Sequence, residues 1–284
     1  MTVPPSLLFV FGLGYSARAL GERLVVRGWD VMGTSRTIPG PFPDRFEVIQ
    51  WDGKDQMAPP AGAHWLITLP PDADGCPAAR VAGHLARQAA SVTYLSTTGV
   101  YGDLGGGWAM EWSPVNPGSQ RSKQRVMAET QWREATDDAM RLVRLPGIYG
   151  PGRSPFEKLR NGTATRVVKP GQVFSRVHVD DIASGLEALM LRPETRGVFH
   201  LCDDLAAPPQ DVTGFAAELL GLEPPPETLL DETDMSAMAR SFYAECKRVS
   251  NARAKAALGW RPAYPSYREG LTAVLAAEQA SLRR

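Results

Sequence analysis

Gly12, Gly14 and Ala17 stand in G-x-G-x-x-A spacing, a pattern with which a chain can bind a pyrophosphate through backbone N–H groups. The apolar run over residues 7–11 leads into the pattern and is short enough for one buried strand. Apolar residues at helical intervals follow it, and residues 31–34 predict a second strand. A strand, a tight turn, a helix and a strand within about 30 residues are the context in which this pattern binds a dinucleotide.

Each residue of the pattern has a physical task in that interpretation. Gly12 permits the tight turn, Gly14 lets the backbone approach the phosphates, and small Ala17 lets the helix pack closely on the sheet. Tyr15 and Ser16 open the predicted helix, whose positive N-terminus would hold the phosphates. The alternative is a strand–helix–strand unit without a ligand.

The end of the second predicted strand bears on which dinucleotide is bound. A site for NAD usually has Asp or Glu there, to accept hydrogen bonds from the ribose hydroxyls. Here the chain has Arg36, whose guanidinium cannot accept a hydrogen bond but suits a 2′-phosphate. Arg18, in the first helical turn, can assist. The sequence therefore favours NADP over NAD, unless Arg36 is an ordinary solvated arginine.

The next two strands are predicted from further apolar runs. Residues 46–51 form a third strand that ends at Asp52, which either meets the adenine amino group or caps the next turn. Residues 64–69 form a fourth strand. The loop that begins with Thr68 and Leu69 should pass beneath the cofactor, because ligands of such sheets lie outside the C-terminal ends of the strands.

A hydroxyl-rich stretch follows the fifth predicted strand, residues 91–96. It contains Thr97, and Val100, Tyr101 and Gly102 come shortly after it. Hydroxyls at the end of a strand can bind a substrate oxygen, or they can merely satisfy backbone groups there.

This stretch, together with the glycine pattern and the late LGWRP sequence, resembles the extended short-chain dehydrogenases/reductases of the NAD-dependent epimerase/dehydratase family. The resemblance covers almost the entire chain. In that family a Ser or Thr four residues before the tyrosine of V-Y-G binds the reacting oxygen of the substrate, which implies this role for Thr97. A Tyr-x-x-x-Lys pair supplies a general acid/base and a lysine that binds the ribose next to the nicotinamide.

The chain departs from the family at that pair. Lys123 occupies the position of the lysine, which implies contact with the cofactor, but the residue four positions earlier is Ser119. A tyrosine has a pKa of about 10 that a neighbouring cation can lower. A serine hydroxyl is shorter and much less acidic, so it cannot take over the proton transfer without a base beside it. The combination resembles an atypical subgroup of the family that lacks the usual tyrosine.

The second half of the chain continues the resemblance. Residues 140–145 predict a sixth strand that leads into PGIYGPGR. This loop lies beside the nicotinamide in the family, which implies a cofactor contact at Pro146 and makes Tyr149 a candidate for the missing proton donor. The later RVHVDD stretch shapes the substrate cleft in relatives, so Arg176 and His178 are candidate substrate residues. His178, which stands between two valines, can equally be structural.

Two further expectations concern the same half. Asp180 or Asp181 is predicted to cap the helix that follows RVHV. Tyr243 belongs to a segment that can fold over the cleft and contact the substrate. Tyr101, Tyr149, Tyr243 and His178 are the titratable groups considered as replacements for the missing tyrosine.

We therefore predict an α/β fold, a Rossmann-type doubly wound parallel sheet with a small C-terminal substrate lobe. The sheet domain comprises residues 1–151 and 175–202, the lobe comprises residues 152–174 and 203–267, and a C-terminal helix covers residues 268–284.

The composition narrows the classes of function. The chain of 284 residues carries 31 basic and 31 acidic side chains, so nothing favours a nucleic acid or an anionic membrane as partner. Its three scattered cysteines match neither a disulfide framework nor the spacing of a metal site. We expect a cytoplasmic protein that acts on a small molecule and can form a homodimer.

Three hypotheses for the function remain open. The first is an NADP-dependent oxidoreductase or epimerase acting on a small polar or sugar-like substrate, with another residue in place of the missing tyrosine. The second is a catalytically silent NADP-binding protein that acts as a sensor or regulator. The third, an ordinary nucleotide-sugar epimerase or dehydratase, is disfavoured by the absence of the tyrosine.

Overall fold

The structure, a computed structural model, describes residues 6–38, 42–235 and 237–282. The start of the predicted segment 1–151 and the end of the predicted segment 268–284 therefore lie outside the described residues. Its strands are β1 (Leu7–Phe11), β2 (Asp30–Ser35), β3 (Phe46–Gln50), β4 (His64–Ile67), β5 (Ser91–Thr97), β6 (Trp108–Ala109), β7 (Arg141–Leu145), β8 (Gly147–Tyr149), β9 (Arg166–Val168), β10 (Arg176–His178), β11 (Gly197–His200), β12 (Glu227–Leu229) and β13 (Arg248–Val249). Its helices are α1 (Tyr15–Val26), α2 (Pro77–Ala82), α3 (Gln120–Thr136), α4 (Phe156–Arg160), α5 (Val179–Met190), α6 (Pro209–Leu220), α7 (Ala237–Phe242), α8 (Ala252–Leu258) and α9 (Tyr267–Leu282). Short 3₁₀ helices cover Gly83–Gln88, Thr98–Tyr101 and Leu230–Glu232.

Seven of the described strands form one parallel sheet in the order β3-β2-β1-β4-β5-β7-β11. The chain moves outward from β1 to β3 and then returns to the other side of β1 with β4, so the strand order reverses between β1 and β4. In a doubly wound sheet, ligands bind in the crevice outside the carboxyl ends of the strands at this reversal. The sheet therefore places the Gly-rich turn, which follows β1, at the edge of that crevice.

The side chains of β1 alternate between the two faces of the sheet, as the twofold period of a strand requires. Leu8 and Val10 are fully buried on the face covered by α1 and α5, which pack on each other. Phe9 and Phe11 are buried on the opposite face, in a core that contains the tryptophan of β4 and that of α3. Helices on both faces of a parallel sheet confirm the predicted doubly wound α/β fold.

A separate apolar core lies in the second half of the chain. It joins residues of α4, α6 and α9 with Tyr149, which is buried. The pairing of β9 with β12, in which Val167 lies opposite Thr228, connects residues 152–174 with residues 203–267, the two pieces of the predicted lobe. The C-terminal helix α9 packs on α6.

A buried polar network ties α3, β7, β11 and the segment after β5 together. Arg144 donates two hydrogen bonds to the carboxylate of Glu129, at 3.0 and 2.6 Å, and a third of 2.8 Å to the Tyr101 hydroxyl. That hydroxyl lies 2.7 Å from Nε2 of His200, whose Nδ1 lies 2.9 Å from the Ser250 carbonyl. Burial lowers the pKa of His200 to about 4, so its neutral ring donates to the carbonyl and accepts from Tyr101.

Two structural findings bear on the membrane and disulfide expectations that were drawn from the composition. Within the described part of the chain, no helix combines the length and apolar character needed to cross a membrane. The cysteines Cys76, Cys202 and Cys246 are buried and form no disulfide.

Glu129→Ala is expected to lower the free energy of unfolding by about 3–5 kcal/mol, because it leaves the buried Arg144 guanidinium without its counter-charge. Arg87→Ala is the control, since Arg87 forms an ion pair of 2.6 Å with Asp137 in which both side chains are about two-thirds exposed. The control should cost at most about 1 kcal/mol. Urea denaturation followed by circular dichroism measures both, and equal costs for the two variants would contradict the role assigned to the buried pair.

Candidate functional site

The Gly-rich turn fits against the loop after β4 only because position 12 has no side chain. Gly12 has φ +90°, and a Cβ there would lie 2.8 Å from Cδ2 of Leu69 and 3.0 Å from Oγ1 of Thr68. The Thr68 hydroxyl donates to the Gly12 carbonyl, and the Gly12 N–H donates to Oγ1 of Thr34 at 3.0 Å. Any other residue at position 12 would push the turn and the loop apart.

Gly14 leaves the approach to α1 open. It is exposed, and the nearest atom to a Cβ built on it is the Gly12 carbonyl oxygen at 3.9 Å. It is the N-cap of α1 and supplies no side chain to cap the helix. The first N–H groups of a helix have no partner within it, so those that open α1 at Tyr15 and Ser16 can receive an anion. Ala17 is fully buried against the sheet.

Arg36 directly follows β2 and is exposed. Its carbonyl accepts a 3.2 Å hydrogen bond from Gln50, while its guanidinium forms no ion pair with a described carboxylate. Arg18, the predicted assistant, is engaged with Glu22 at 3.1 Å and stacks on Phe42.

Asp52 caps a turn, which is one of its two predicted roles. Its Oδ1 accepts a 3.0 Å hydrogen bond from the Lys54 N–H, and the side chain is exposed. β4 ends at Ile67, two residues earlier than predicted, because Thr68 and Leu69 turn toward the Gly-rich turn.

Three hydroxyls surround the turn at Gly99, after β5. Thr97 accepts a 3.1 Å hydrogen bond from the Gly99 N–H and so satisfies the backbone there, yet its own hydrogen remains free for an acceptor. Ser122 lies against the same glycine, since a Cβ on Gly99 would be 2.8 Å from the Ser122 Oγ and 3.4 Å from the Thr97 Oγ1. Ser119 donates to Ser122 at 2.9 Å.

Ser119 is the N-cap of α3. Its Oγ accepts a 3.2 Å hydrogen bond from the Ser122 N–H, the usual contact of a capping serine. Its hydroxyl hydrogen is used in the bond to the Ser122 Oγ. With both roles occupied, Ser119 has no hydrogen to give to a substrate in this arrangement.

Arg125, which was not anticipated from the sequence, is the cation of α3 that reaches the strand ends. Its Nη1 lies 3.3 Å from the Leu69 carbonyl, 3.0 Å from the Leu95 carbonyl and 3.0 Å from the Tyr94 hydroxyl. It therefore joins the loop after β4 to the end of β5. Lys123, which the resemblance implies as a cofactor contact, is exposed.

The phase of α3 explains this difference. Ser122, Glu129 and Trp132 are all buried, and they follow one another at helical intervals on the face toward the sheet. Arg125 lies on that face, whereas Lys123 is rotated away from it. Because the buried face contains a serine and a glutamate, its phase is hidden from a search for apolar residues. The signal that was available is the spacing of Arg125 from Glu129, which is one helical turn.

Tyr149 is buried, and its hydroxyl is already engaged. Its hydroxyl donates a 3.4 Å hydrogen bond to the Ser266 carbonyl, and its ring meets His178 edge to face at 5.2 Å. Burial raises the pKa of Tyr149 far above its ordinary value. Pro146, at the start of the same loop, is partly exposed.

His178 caps α5, which corrects the prediction that Asp180 or Asp181 does so. The Nδ1 of His178 accepts a 3.2 Å hydrogen bond from the Asp180 N–H, and burial lowers the pKa of the ring, which keeps it neutral. Asp181 instead accepts from the N–H groups of Ala263 and Tyr264, at 2.6 and 3.1 Å. Its carboxylate thus ties the start of α5 to the C-terminal segment.

The last predicted substrate residues, Arg176 and Tyr243, both contact Phe174. Arg176 donates to the carbonyls of Phe174 and Ala207, at 2.8 and 3.0 Å. Tyr243 is half-buried, and its ring meets Phe174 edge to face at 5.8 Å. The segment after it crosses to the sheet domain, where Lys247 donates a 2.7 Å hydrogen bond to the Gly102 carbonyl.

Asp203 is a buried carboxylic acid beside this region. Both of its oxygens are buried, and its side chain is only 4% exposed. Burial raises the pKa of Asp203 to about 8, against the opposing effects of the Arg176 charge and of the backbone N–H groups of Arg176 and Leu205. At neutral pH the folded protein therefore holds a proton on this group.

Comparison with solved structures identifies the family. A functionally unknown conserved protein from Silicibacter pomeroyi DSS superposes with a TM-score of 0.88 and 46% sequence identity, over 96% of this chain and 99% of that one. The chain belongs to the same family as this protein. No family model matches the sequence.

More distant structures establish the fold. A dTDP-glucose 4,6-dehydratase from Bacillus anthracis str. Ames, in complex with NAD, is 13% identical over 98% of both chains, with a TM-score of 0.78. The human epimerase family protein SDR39U1, with NADPH, is 16% identical over 94% of this chain and 98% of that one, with a TM-score of 0.74. The fold is thus one that carries nicotinamide dinucleotides in epimerase/dehydratase proteins.

Two curated relatives are similar in sequence. Protein YeeZ from Escherichia coli (strain K12) is 27% identical over 236 residues, which cover 76% of this chain and 84% of YeeZ. A 3-diazoavenalumate denitrifying reductase from Streptomyces sp is 34% identical over 159 residues. This match spans 52% of the chain and about half, 51%, of the reductase.

Asp203→Asn is expected to stabilise the protein increasingly as the pH rises. The raised pKa means that the folded state binds a proton that the unfolded state has released between about pH 4 and pH 8, so wild-type stability falls across this window. The amide carries no such penalty, and the advantage of the variant should grow by up to about 1.4 kcal/mol per pH unit. Urea denaturation of both proteins at pH 5, 6, 7 and 8 measures it, and a constant difference would refute the assignment.

Proposed function

We propose that the chain binds NADP(H) at the reversal of its strand order and acts as an oxidoreductase or epimerase on a small polar or sugar-like substrate. The observation that carries the proposal is the fit of the Gly12 turn beneath the loop after β4, with α1 opening directly beyond Gly14. Such a turn at this crevice is a cradle for a pyrophosphate. The NAD and NADPH complexes of proteins with this fold support it.

The preference for NADP rests on Arg36. Its guanidinium is exposed at the end of β2, where an NAD site has a carboxylate, and no described carboxylate neutralises it. A planar fork of N–H donors suits the 2′-phosphate of the adenosine ribose. Arg18 supports this environment less directly, because Glu22 and Phe42 already engage it.

The remaining cofactor residues follow from the same geometry. Thr68 and Leu69 form the floor, Arg125 fixes that floor to β5, and Pro146 borders the nicotinamide side. We propose that Arg125 takes the part that the family assigns to its lysine, and that exposed Lys123 contributes only general positive charge. Bound NADP(H) supplies the hydride chemistry.

On the substrate side, Thr97 is the group that orients the reacting oxygen. Its Oγ1 accepts from Gly99 and keeps its own hydrogen available for donation. Ser122 is the second hydroxyl at this point, since it receives the hydrogen of Ser119 and keeps its own. Tyr243, on the segment that crosses to the sheet domain, is the residue that we propose closes the substrate side. The reductase similarity over 159 residues supports redox chemistry.

One observation favours a second candidate, a catalytically silent NADP(H)-binding sensor. Within the described residues, no ionisable side chain hydrogen-bonds to the hydroxyls of Thr97, Ser119 or Ser122. A hydroxyl without a base beside it is a poor general acid. In this alternative, cofactor binding itself is the signal.

Arg36→Ala is expected to abolish discrimination between the two cofactors. Two charge-assisted hydrogen bonds, each worth about 1.5–3 kcal/mol before desolvation, give NADPH a tenfold to few-hundredfold advantage over NADH in the wild type. Isothermal titration of both cofactors measures this advantage, with Arg87→Ala as the control at a distant exposed arginine. Equal affinity of the wild type for NADPH and NADH would rule out the proposed preference.

The hydroxyl and cation variants separate an enzyme from a sensor. NADPH oxidation is screened against aldehydes, ketones and sugar nucleotides, and any substrate found is used to compare variants. Thr97→Ala should lose about 10² to 10⁴-fold in turnover and Ser119→Ala little, because Ser119 caps a helix. Arg125→Ala should weaken NADPH binding more than Lys123→Ala does.

The reverse outcomes are informative as well. A loss of that size on Ser119→Ala would show that the serine is the proton donor after all. Should Lys123→Ala weaken NADPH binding more than Arg125→Ala, the assignment of Arg125 would be wrong. A folded protein that binds NADPH and reduces no compound, even as Ser119→Tyr, would favour the sensor.

A further inference from the structure

The loop of residues 150–153, after β8, sits directly on the residue that opens α1. The Tyr15 hydroxyl donates a 2.9 Å hydrogen bond to the Pro151 carbonyl. The loop closes on itself through the 2.9 Å bond from the Arg153 N–H to the Gly150 carbonyl. Gly150 has φ +151°, and a Cβ there would lie 2.5 Å from the Tyr15 hydroxyl and 2.7 Å from Cγ1 of Val179. The loop thus packs on the Tyr15 side chain as closely as its backbone allows.

Arg153 is held over the ring of Tyr15. Its guanidinium carbon lies 4.4 Å from the ring centroid, and the residue is exposed. Stacking uses the face of the guanidinium and leaves the N–H groups at its edge available. No hydrogen bond or ion pair joins these groups to any described residue. Asp180 is close enough to affect the pKa of Tyr15, and its carboxylate lies 3.6 Å from Nδ1 of the neutral His178 ring.

Arg160, in the same half of the chain, is an arginine whose charge is paired with a carboxylate. It also stacks on an aromatic ring, that of Phe156 at 5.7 Å, but it forms a 2.6 Å ion pair with Glu278. Arg153 has the aromatic support but forms no salt bridge with a described carboxylate. A cation stacked next to the opening of α1 without a salt-bridge partner is suited to an anionic ligand.

We infer that Arg153 binds the pyrophosphate of the dinucleotide, with Tyr15 as the positioning residue that holds its guanidinium in place. The inference rests on the proposed function, because the anion in question is that of the bound cofactor. The backbone N–H groups at the start of α1 contact the pyrophosphate from one side. Arg153 contacts it from the loop after β8, so residues from both halves of the chain bind the cofactor.

The test is isothermal titration of NADPH and of 2′-AMP, which carries the 2′-phosphate but no pyrophosphate. Arg153→Gln should weaken NADPH binding about tenfold to a hundredfold and leave 2′-AMP binding unchanged. Arg36→Ala should weaken the binding of both ligands. Arg160→Gln, the matched control, should bind both ligands like the wild type. Thermal unfolding checks that each variant is folded.

A double-mutant cycle tests the role of Tyr15. Tyr15→Leu removes the stacking ring, and the double variant Tyr15→Leu/Arg153→Gln should bind NADPH no more weakly than Arg153→Gln alone. Arg153→Lys should restore part of the lost affinity, since it keeps the charge but not the stacked fork. Additive losses in the cycle would overturn the positioning role of Tyr15.

The remaining outcomes separate this inference from the proposed function. If the wild type binds NADPH and Arg153→Gln binds it equally well, the inference is wrong and the proposed function stands. If Arg153→Gln loses affinity for UDP-glucose but not for NADPH, the arginine serves a substrate diphosphate, and the inference is again overturned. If the folded wild type binds neither NADPH nor NADH, the proposed function fails and this inference with it.

Discussion

The turn at Gly12 and the loop at Leu69 occupy adjoining space at the end of neighbouring strands, and the site depends on how that space is shared. The missing Cβ of Gly12 is what lets Leu69 come within van der Waals distance. Hydrogen bonds from Thr68 and Arg125 then fix the loop on both sides, one to the turn and the other to β5. The floor of the crevice is therefore held in place by side-chain packing and hydrogen bonds within the protein itself.

The neighbouring strands β5, β7 and β11 are paired in the sheet and are also tied together by a buried ion pair. Arg144 and Glu129 are both nearly inaccessible, and their ion pair extends through Tyr101 to His200. A network of this kind tolerates little displacement, because each unsatisfied buried group carries a desolvation cost. Because this network uses the Tyr101 hydroxyl, Tyr101 is not a candidate for catalysis. The network also fixes the segment that carries Thr97.

Features that a local sequence pattern specifies could be predicted for this protein, and features that arise only in the folded chain could not. β1 falls on residues 7–11, as predicted, because an apolar run between a polar start and a glycine leaves no other boundary. The sheet order follows from the same alternation of strands and helices. The cap at His178 was missed, because histidine is a rare capping residue and two aspartates follow it. The proton on Asp203 was missed, because burial is a property of the folded chain alone.

Arg125 and Lys123 show the same limit within one helix. The resemblance places Lys123 in the position of the family's lysine, and the pattern of apolar residues does not correct this, since the buried face of α3 is itself partly polar. The contact between Glu129 and Arg144, fifteen residues apart in sequence, fixes the rotation of the helix together with the packing of Trp132 on Trp65. Once that rotation is set, Arg125 faces the strands and Lys123 faces solvent.

The cap at Ser119 gives a physical account of why this position holds a serine. α3 begins at Gln120, so the residue before it must satisfy an N–H of the first turn, and Ser119 does this through Ser122. A tyrosine hydroxyl is too far from its own backbone to make that bond, and losing a capping side chain costs about 1 kcal/mol. A tyrosine at position 119 would therefore leave the start of α3 without its cap. A chain that keeps the serine gains a well-formed helix end that orders Ser122 beside Thr97, and it must obtain any proton from elsewhere.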